Sequence, residues 1–207
     1  MPDGEIKNIV FDLGNTLVYF DYSSFFEGVS RLENKLSPEK LMKYFADNRL
    51  DIHLGTGKTN IRESFKSLKK KHGLSITFAD FHDLYCNIFR ENTEMKEFLE
   101  NKLLDSGFKL FMLSNTDSSH INFINKNFPY VKHIKKRVLS YKVNSVKPDK
   151  RIYKYLITKM NISPEESIFI DDLKPNIAAA EEFGLKTIHY TSHKKFLREF
   201  RKLTGVS

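Results

Sequence analysis

Two short apolar runs, far apart in the chain, each end in carboxylates. Residues 9–11 lead into Asp12, and residues 168–170 lead into Asp171 and Asp172. Runs of this length and composition are typical of buried strands. Because the carboxyl ends of parallel strands share one edge of a sheet, we expect these carboxylates to converge there. Mg²⁺ prefers hard oxygen ligands, and a carboxylate can also act as a nucleophile, so the pattern predicts a magnesium phosphoryl-transfer site.

The rest of the chain alternates predicted strands with predicted helices. This alternation favours right-handed strand–helix–strand units and a parallel sheet, and therefore an α/β fold. A helical stretch interrupts the alternation after the first strand, and we expect it to be an inserted all-α cap. The predicted strands are residues 6–11, 109–113, 138–139, 167–170 and 186–190. The predicted boundaries are residues 1–19 and 93–207 for the core and residues 20–92 for the cap.

Helical spacing and capping residues locate the helices of the insertion. Phe25, Val29 and Leu32 recur at helical spacing, and Ser37 followed by Pro38 is typical of a helix N-terminus. A glycine just past the last periodic residue is typical of a helix C-cap. Gly107 has this position in the last of the helices predicted for this part of the chain. The further predicted helices are residues 60–72, 78–89 and 93–107.

Composition excludes several classes of protein. With 207 residues and 40% hydrophobic residues, the chain can bury a core of one or two domains. It has no apolar stretch near the roughly 18 residues of a membrane helix, and its first five residues do not resemble a signal peptide. The single cysteine, Cys86, excludes an internal disulfide, so a cytoplasmic protein without a membrane partner is the simplest interpretation. The net charge of +8 comes from dispersed basic residues, which favours a solvated surface over a nucleic-acid interface.

Four motifs follow one another in an informative order. They are Asp12-Leu13-Gly14-Asn15-Thr16, Leu113-Ser114-Asn115, Lys147-Pro148-Asp149 and Asp171-Asp172. Together they resemble the haloacid dehalogenase superfamily of hydrolases, in particular the phosphatase-like members with a helical cap inserted after the first strand. The resemblance spans essentially the whole chain. It implies a Rossmann-like open parallel sheet with an inserted cap, and a magnesium-dependent phosphatase acting on a small phosphorylated substrate such as a sugar phosphate.

The resemblance also implies a role for each motif residue. Asp12 would attack phosphorus and form an aspartyl-phosphate, which divides one difficult displacement into two. Lys147 would neutralise charge on the nucleophile and on the phosphoryl group. Ser114 and Asn115 would donate hydrogen bonds to phosphate oxygens. The implied ligands of Mg²⁺ are Asp12, the carbonyl of Gly14 and Asp172, with support from Asp171.

Gly14 departs from the pattern of most phosphatases in this superfamily. They carry an aspartate two residues after the nucleophile, where it serves as general acid and base, and glycine can do neither. General acid–base catalysis typically contributes about 10²–10⁴-fold, so its loss should slow ester cleavage unless another group substitutes. Asp21, just beyond the first strand, is the candidate substitute.

Three alternatives remain open from the sequence. The missing acid–base group is compatible with a regulatory or binding protein that does not turn over substrate. A 2-haloacid dehalogenase would use Asp12 to attack carbon without a metal, although the Asp171-Asp172 pair favours metal and phosphate. The segment from Gly55 to Thr59 resembles part of a nucleotide-binding loop, but Ile52 occupies the place of its first glycine, which favours a turn.

Overall fold

Within residues 5–206, which the structure describes, a five-stranded parallel sheet forms the centre of the protein. The structure is a computed structural model. Residues 1–4 and residue 207 lie outside the part that it describes. The expectation that the chain begins without a signal peptide concerns the first of these segments. The strands are β1 (Asn8–Phe11), β2 (Val18–Phe20), β3 (Phe89–Glu91), β4 (Lys109–Ser114), β5 (Lys136–Leu139), β6 (Ser167–Asp171) and β7 (Lys186–His189). The sheet order is β5-β4-β1-β6-β7, with all neighbours parallel, which confirms the predicted α/β class.

Both faces of the sheet are buried, which explains the continuous apolar runs in its central strands. In β1, Ile9 and Phe11 pack into one cluster of buried side chains, and Val10 packs into a second cluster on the opposite face. In β6, Ile168 belongs to the first cluster and Phe169 to the second. Successive side chains of a strand point to opposite faces, so a strand covered on both faces has no polar alternation.

Helices surround the sheet and fill the segment between β2 and β3. Among residues 5–206, no helix is both long and apolar enough to cross a bilayer. The helices are α1 (Ser23–Leu32), α2 (Pro38–Asp47), α3 (Leu50–Gly55), α4 (Ile61–His72), α5 (Phe78–Cys86), α6 (Thr93–Phe98), α7 (Ser118–Asn127), α8 (Ser140–Val143), α9 (Lys150–Met160), α10 (Lys174–Glu181) and α11 (His193–Thr204). The shorter turns are a π turn at Leu99–Leu103 and 3-10 turns at Pro129–His133 and Pro164–Glu166.

The helices α1 to α5 form the insertion between β2 and β3, and they have a hydrophobic cluster of their own. Its centre is aromatic, with the ring of Phe25 5.2 Å from that of Phe81 and 5.5 Å from that of Tyr85. Local capping explains where these helices begin. Ser37 accepts a hydrogen bond from an amide of the first turn of α2, and Asn60 does the same for α4.

A short antiparallel ribbon carries the chain into and out of the insertion, and it was not predicted. The sequence predicts a helix over residues 78–89, but α5 ends at Cys86, and β3 instead pairs with β2, placing Phe89 opposite Phe20. This pairing supplies backbone hydrogen bonds between segments that are far apart in the chain, and helical periodicity contains no information about it. The predicted helix over residues 93–107 is also interrupted, because its second half is the π turn.

Candidate active site

The register of the sheet brings the two carboxylate motifs to one edge. β1 and β6 are paired so that Phe11 lies opposite Ile170, and the Asp12 amide donates to the Ile170 carbonyl at 2.8 Å. Asp12 therefore follows the end of β1 directly, and Asp171 is the last residue of the adjacent β6. One carboxylate oxygen from each of Asp12, Asp171 and Asp172 can be chosen so that all three lie within 4.8 Å of one another. The first two aspartates are buried and Asp172 is half-buried.

Lys147 joins two of these carboxylates. Its Nζ donates to Oδ1 of Asp12 and to Oδ2 of Asp171, both at 2.6 Å, and its side chain is 1% exposed. The backbone of Lys147 is held by Asn115, whose Oδ1 accepts from the Lys147 amide at 2.7 Å and whose Nδ2 donates to the Lys147 carbonyl at 3.0 Å. The side chain of Asn115 therefore fixes the lysine in position at the site.

Asp171 and Asp172 differ in how much acceptor capacity they retain. Asp171 accepts from the backbone amide of Leu173 at 2.8 Å and from Asn176 Nδ2 at 3.0 and 3.1 Å, in addition to Lys147. Asp172 accepts from Asn15 Nδ2 at a longer distance of 3.4 Å. A carboxylate has about four lone-pair sites, so these contacts occupy most of those on Asp171 and leave Asp172 open to a cation.

The electrostatics of the cluster favour an additional cation. Three carboxylates and one ammonium carry a formal charge of −2. Burial raises the pKa of Asp12 to about 7, although the charge of Lys147 opposes this shift. Burial and the neighbouring charge of Asp171 also raise the pKa of Asp172. A divalent cation bound by these oxygens would favour their ionised forms, so the donor set fits Mg²⁺.

The loop after Asp12 is shaped by Gly14 and Asn15. Asn15 has a φ of 51°, in the left-handed region that asparagine tolerates better than most residues. Its side chain contacts Asp172 and also accepts from the Phe20 amide at 3.4 Å, so it links the acidic cluster to the start of the insertion. Ser114, at the end of β4, is buried and lines a small cavity together with Gly14.

Asp21, the predicted acid–base substitute, lies at the surface. Its carboxylate accepts from both the amide and the hydroxyl of Ser23, at 2.9 and 2.6 Å. These hydrogen bonds lower the pKa of Asp21 below its usual value. A general acid that works near neutral pH needs a raised pKa, so the surroundings of Asp21 do not favour that role.

A cavity of 740 Å³ lies between the insertion and the carboxyl edge of the sheet. Sequence reasoning did not find it, because its lining comes from elements distant in the chain and most of its residues are aromatic or apolar. Among residues 5–206, its walls are formed by Phe20, Tyr22, Phe26, Phe45, Ala46, Arg49, Asp51, Ile52, Leu54, Gly55, Tyr85, Asn115, Thr116, Asp117, His120 and Val146.

Tyr85, Asp117 and His120 connect the insertion to the core beside this cavity. The Tyr85 hydroxyl donates to Asp117 Oδ2 at 2.7 Å, and His120 Nδ1 lies 3.1 Å from the same oxygen. His120 Nε2 lies 3.0 Å from the Tyr85 carbonyl, and the two rings stack with centroids 4.1 Å apart. Tyr85 lies on α5 of the insertion, His120 lies on α7 of the core, and Asp117 is the N-cap of α7. These contacts therefore join the insertion to the core.

The contact between Tyr85, Asp117 and His120 should make stability depend on pH. Burial acts to raise the pKa of Asp117, but hydrogen bonding to and charge from His120 overcome it and lower the pKa from 3.8 to about 2. The ionised carboxylate therefore contributes about 2 kcal/mol above pH 4, and this contribution is lost as pH falls toward 2. We expect Asp117→Asn to lower the free energy of unfolding by about that amount at pH 7 and by much less at pH 2.5. Urea unfolding at both pH values measures this, and an equal loss at both would contradict it.

The fold is that of an α/β protein with an open parallel sheet, a class in which ligands generally bind at the carboxyl ends of the strands. Residues 6–184 match the family of haloacid dehalogenase-like hydrolases, and the chain belongs to that family. The resemblance inferred from the four motifs is therefore confirmed at the level of the family.

Two relatives that match most of the chain are named phosphatases. The D-ribitol-5-phosphate phosphatase of Bacteroides thetaiotaomicron is 26% identical over 188 residues, which cover 88% of this chain and 90% of the relative. The phosphoglycolate phosphatase of Mannheimia succiniciproducens is 27% identical over 202 residues, which cover 91% of this chain and 87% of the relative.

A solved structure of a HAD family enzyme from Bacteroides thetaiotaomicron superimposes with a TM-score of 0.84 at 25% identity, covering 96% of this chain and all of the other. The wild-type form of that enzyme in complex with magnesium and inorganic phosphate gives a TM-score of 0.78 at 25% identity, covering 88% of this chain and 93% of the other. The overall fold is thus shared with an enzyme that binds this metal and this anion.

Proposed function

We propose that the protein is a magnesium-dependent phosphatase that hydrolyses a small phosphorylated metabolite. The observation that carries this proposal is the buried bridge from Lys147 to Asp12 and Asp171, within a cluster whose formal charge is −2. The named activities of the two phosphatase relatives support the reaction class. The relative that binds magnesium and inorganic phosphate supports the choice of metal.

In this proposal, Mg²⁺ would be held by Asp12, Asp172 and the carbonyl of Gly14. Asp171 supports the site through Lys147 and Asn176, since those two residues occupy most of its acceptor positions. Bound there, the metal would supply positive charge that stabilises the transferring phosphoryl group.

The protein's own residues then perform a two-step transfer. A carboxylate oxygen of Asp12 forms a bond to phosphorus as the bond to the leaving oxygen breaks. Water next attacks the phosphorus of the aspartyl-phosphate and restores the Asp12 carboxylate. Lys147 stabilises the charge with a fixed ammonium, and Ser114 and the Asn115 backbone bind phosphate oxygens. We assign no proton-transfer step to Asp21, because its pKa is lowered and Ser23 occupies its carboxylate.

Phosphate release from a panel of aryl, sugar and nucleotide phosphates, with Mg²⁺ and with EDTA, tests the proposal. We expect turnover only with Mg²⁺.

The second candidate function, a binding protein without turnover, is favoured by one observation: position 14 has no side chain to transfer a proton. Folded protein that binds Mg²⁺ but releases no phosphate from any ester would support that candidate.

Magnesium affinity should depend on pH in a specific direction. Since the pKa of Asp12 is raised to about 7 without the metal, a proton competes with Mg²⁺ for this ligand. We expect the dissociation constant to be roughly tenfold larger at pH 6 than at pH 8. Isothermal titration calorimetry measures the difference. Asp12→Asn should bind Mg²⁺ weakly at both pH values, and equal affinities in the wild-type protein would contradict the assignment.

A further inference from the structure

Two adjoining cavities lead away from the carboxyl edge of the sheet. The small one, of 60 Å³, lies against Gly14 and Ser114, beside the proposed phosphoryl site. The large one, of 740 Å³, extends beneath the insertion. Both cavities are lined by Phe20, Tyr22, Asn115, Thr116 and His120. A phosphate ester held at Asp12 would therefore direct its leaving group along these shared residues into the large cavity.

The large cavity has an aromatic wall. The rings of Phe20 and Tyr22 are 5.8 Å apart, those of Tyr22 and Phe26 are 6.1 Å apart, and those of Phe26 and Phe45 are 5.7 Å apart. These rings form a continuous series along the cavity. An aromatic surface of this kind binds a flat apolar group through ring packing and burial.

Phe20 occupies the space that a side chain at position 14 would need. A Cβ placed on Gly14 would lie 2.6 Å from Cε1 and 3.0 Å from Cδ1 of the Phe20 ring. A carboxylate at this position would therefore require the ring to move. Glycine at 14 and phenylalanine at 20 thus form one arrangement, in which an apolar ring faces the route of the leaving group.

The small cavity, as residues 5–206 line it, provides no available acid for the leaving oxygen. Among residues 5–206, its titratable lining residues are Tyr22 and His120. Both ring nitrogens of His120 face acceptors, at Asp117 and at the Tyr85 carbonyl. Burial, together with the charge of Asp117, raises the pKa of the Tyr22 hydroxyl well above its usual value, so it is a weak proton donor. The carboxylates of Asp51 and Asp117 line the large cavity and not the small one.

We propose, on the basis of the phosphatase function above, that the substrate class is an aryl phosphate monoester. Its ring lies in the large cavity against Phe20, and its oxygen leaves without protonation by the protein. In the first step the bond from Asp12 to phosphorus forms, the phosphorus–oxygen bond breaks, and its electron pair leaves on a phenolate that takes a proton from bulk water. In the second step the oxygen of a water molecule bonds to phosphorus as the bond between phosphorus and the Asp12 oxygen breaks. Its electron pair returns to the Asp12 carboxylate, and inorganic phosphate leaves with both hydrogens of that water.

A matched pair of substrates tests this class. Phenyl phosphate and cyclohexyl phosphate have rings of similar size, but phenolate is a far better leaving group than the cyclohexanol alkoxide. Because no lining residue supplies the proton, we expect kcat/KM for phenyl phosphate to exceed that for cyclohexyl phosphate by at least about 100-fold. Acetyl phosphate, which has a good leaving group and no ring, should retain a high kcat with a raised KM.

Two variants separate the ring contact from the missing acid. Phe20→Ala should raise the KM for phenyl phosphate about tenfold through lost ring packing, and should raise the KM for acetyl phosphate, which has no ring to pack, much less. Adding Gly14→Asp to Phe20→Ala supplies a carboxyl group and the space for it, and should increase turnover of cyclohexyl phosphate more than that of phenyl phosphate.

The outcomes distinguish this inference from the function on which it rests. Equal kcat/KM for phenyl and cyclohexyl phosphate, or faster turnover of a sugar phosphate, would overturn the aryl class and leave a phosphatase. Absence of Mg²⁺-dependent turnover on all of these esters, in folded protein, would overturn the phosphatase function itself.

Discussion

Asp12→Asn is expected to reduce Mg²⁺-dependent phosphate release by at least about 10⁴-fold, because an amide cannot form the covalent intermediate. The fold should not be weakened. Burial already raises the pKa of Asp12, so a neutral side chain of the same shape is tolerated there, and Lys147 retains its 2.6 Å contact with Asp171. Steady-state kinetics and urea unfolding of the same preparation measure both effects.

Asp47→Asn is the matched control for this substitution. It makes the same chemical change at a carboxylate on α2 whose side chain is 53% exposed and whose partner is Lys43. We expect activity within error of wild type and a change in stability below about 0.5 kcal/mol. If Asp12→Asn retained activity comparable to that of this control, Asp12 would not be the nucleophile.

Lys147→Met is expected to impair both folding and catalysis. The substitution keeps most of the side-chain stem but leaves Asp12 and Asp171 buried without their cation. Removing one partner of a buried ion pair typically costs about 3–5 kcal/mol, and we expect a loss of that size in metal-free protein. With Mg²⁺ present, part of the stability should return, while kcat should remain reduced by about 10²–10³-fold because the charge stabilisation is lost.

Lys150→Met provides the comparison for Lys147→Met. Lys150 begins α9 and pairs with Glu182 at the same 2.6 Å distance, but the two side chains are 72% and 56% exposed. An exposed pair contributes little, so we expect a change below about 1 kcal/mol and normal turnover. Similar losses in the two variants would show that burial of the Lys147 cluster has no special importance.

The central sheet could be predicted because its determinants are local. Each strand buried on both faces appears as an uninterrupted apolar run, and Asp12 and Asp171 follow two such runs directly. The geometry of parallel strands then brings them to one edge, where the structure places them. The role of Lys147 could be predicted only from the family resemblance. Seven residues, which include the short helix α8, separate it from the end of β5, and no periodicity marks that segment.

The wall of the large cavity could not be predicted in this way. Tyr85, Asp117 and His120 meet through tertiary contacts between α5 and α7, and each appears unremarkable in its own segment. In the sequence, Phe20 is the first residue of the predicted cap. Its position over Gly14 depends on the antiparallel pairing with Phe89, which joins residues far apart in the chain. Local patterns do not encode such pairings.

A rapid-quench experiment with phenyl phosphate tests the central claim, that Asp12 carries the phosphoryl group, most directly. Phenol and inorganic phosphate are measured in the first turnover with Mg²⁺, and the quenched protein is digested for mass spectrometry. We predict that phenol appears before phosphate, in an amount approaching that of the enzyme, and that the peptide containing Asp12 gains one phosphoryl group. Simultaneous release of both products, no phosphorylated peptide and undiminished turnover in Asp12→Asn would contradict the account.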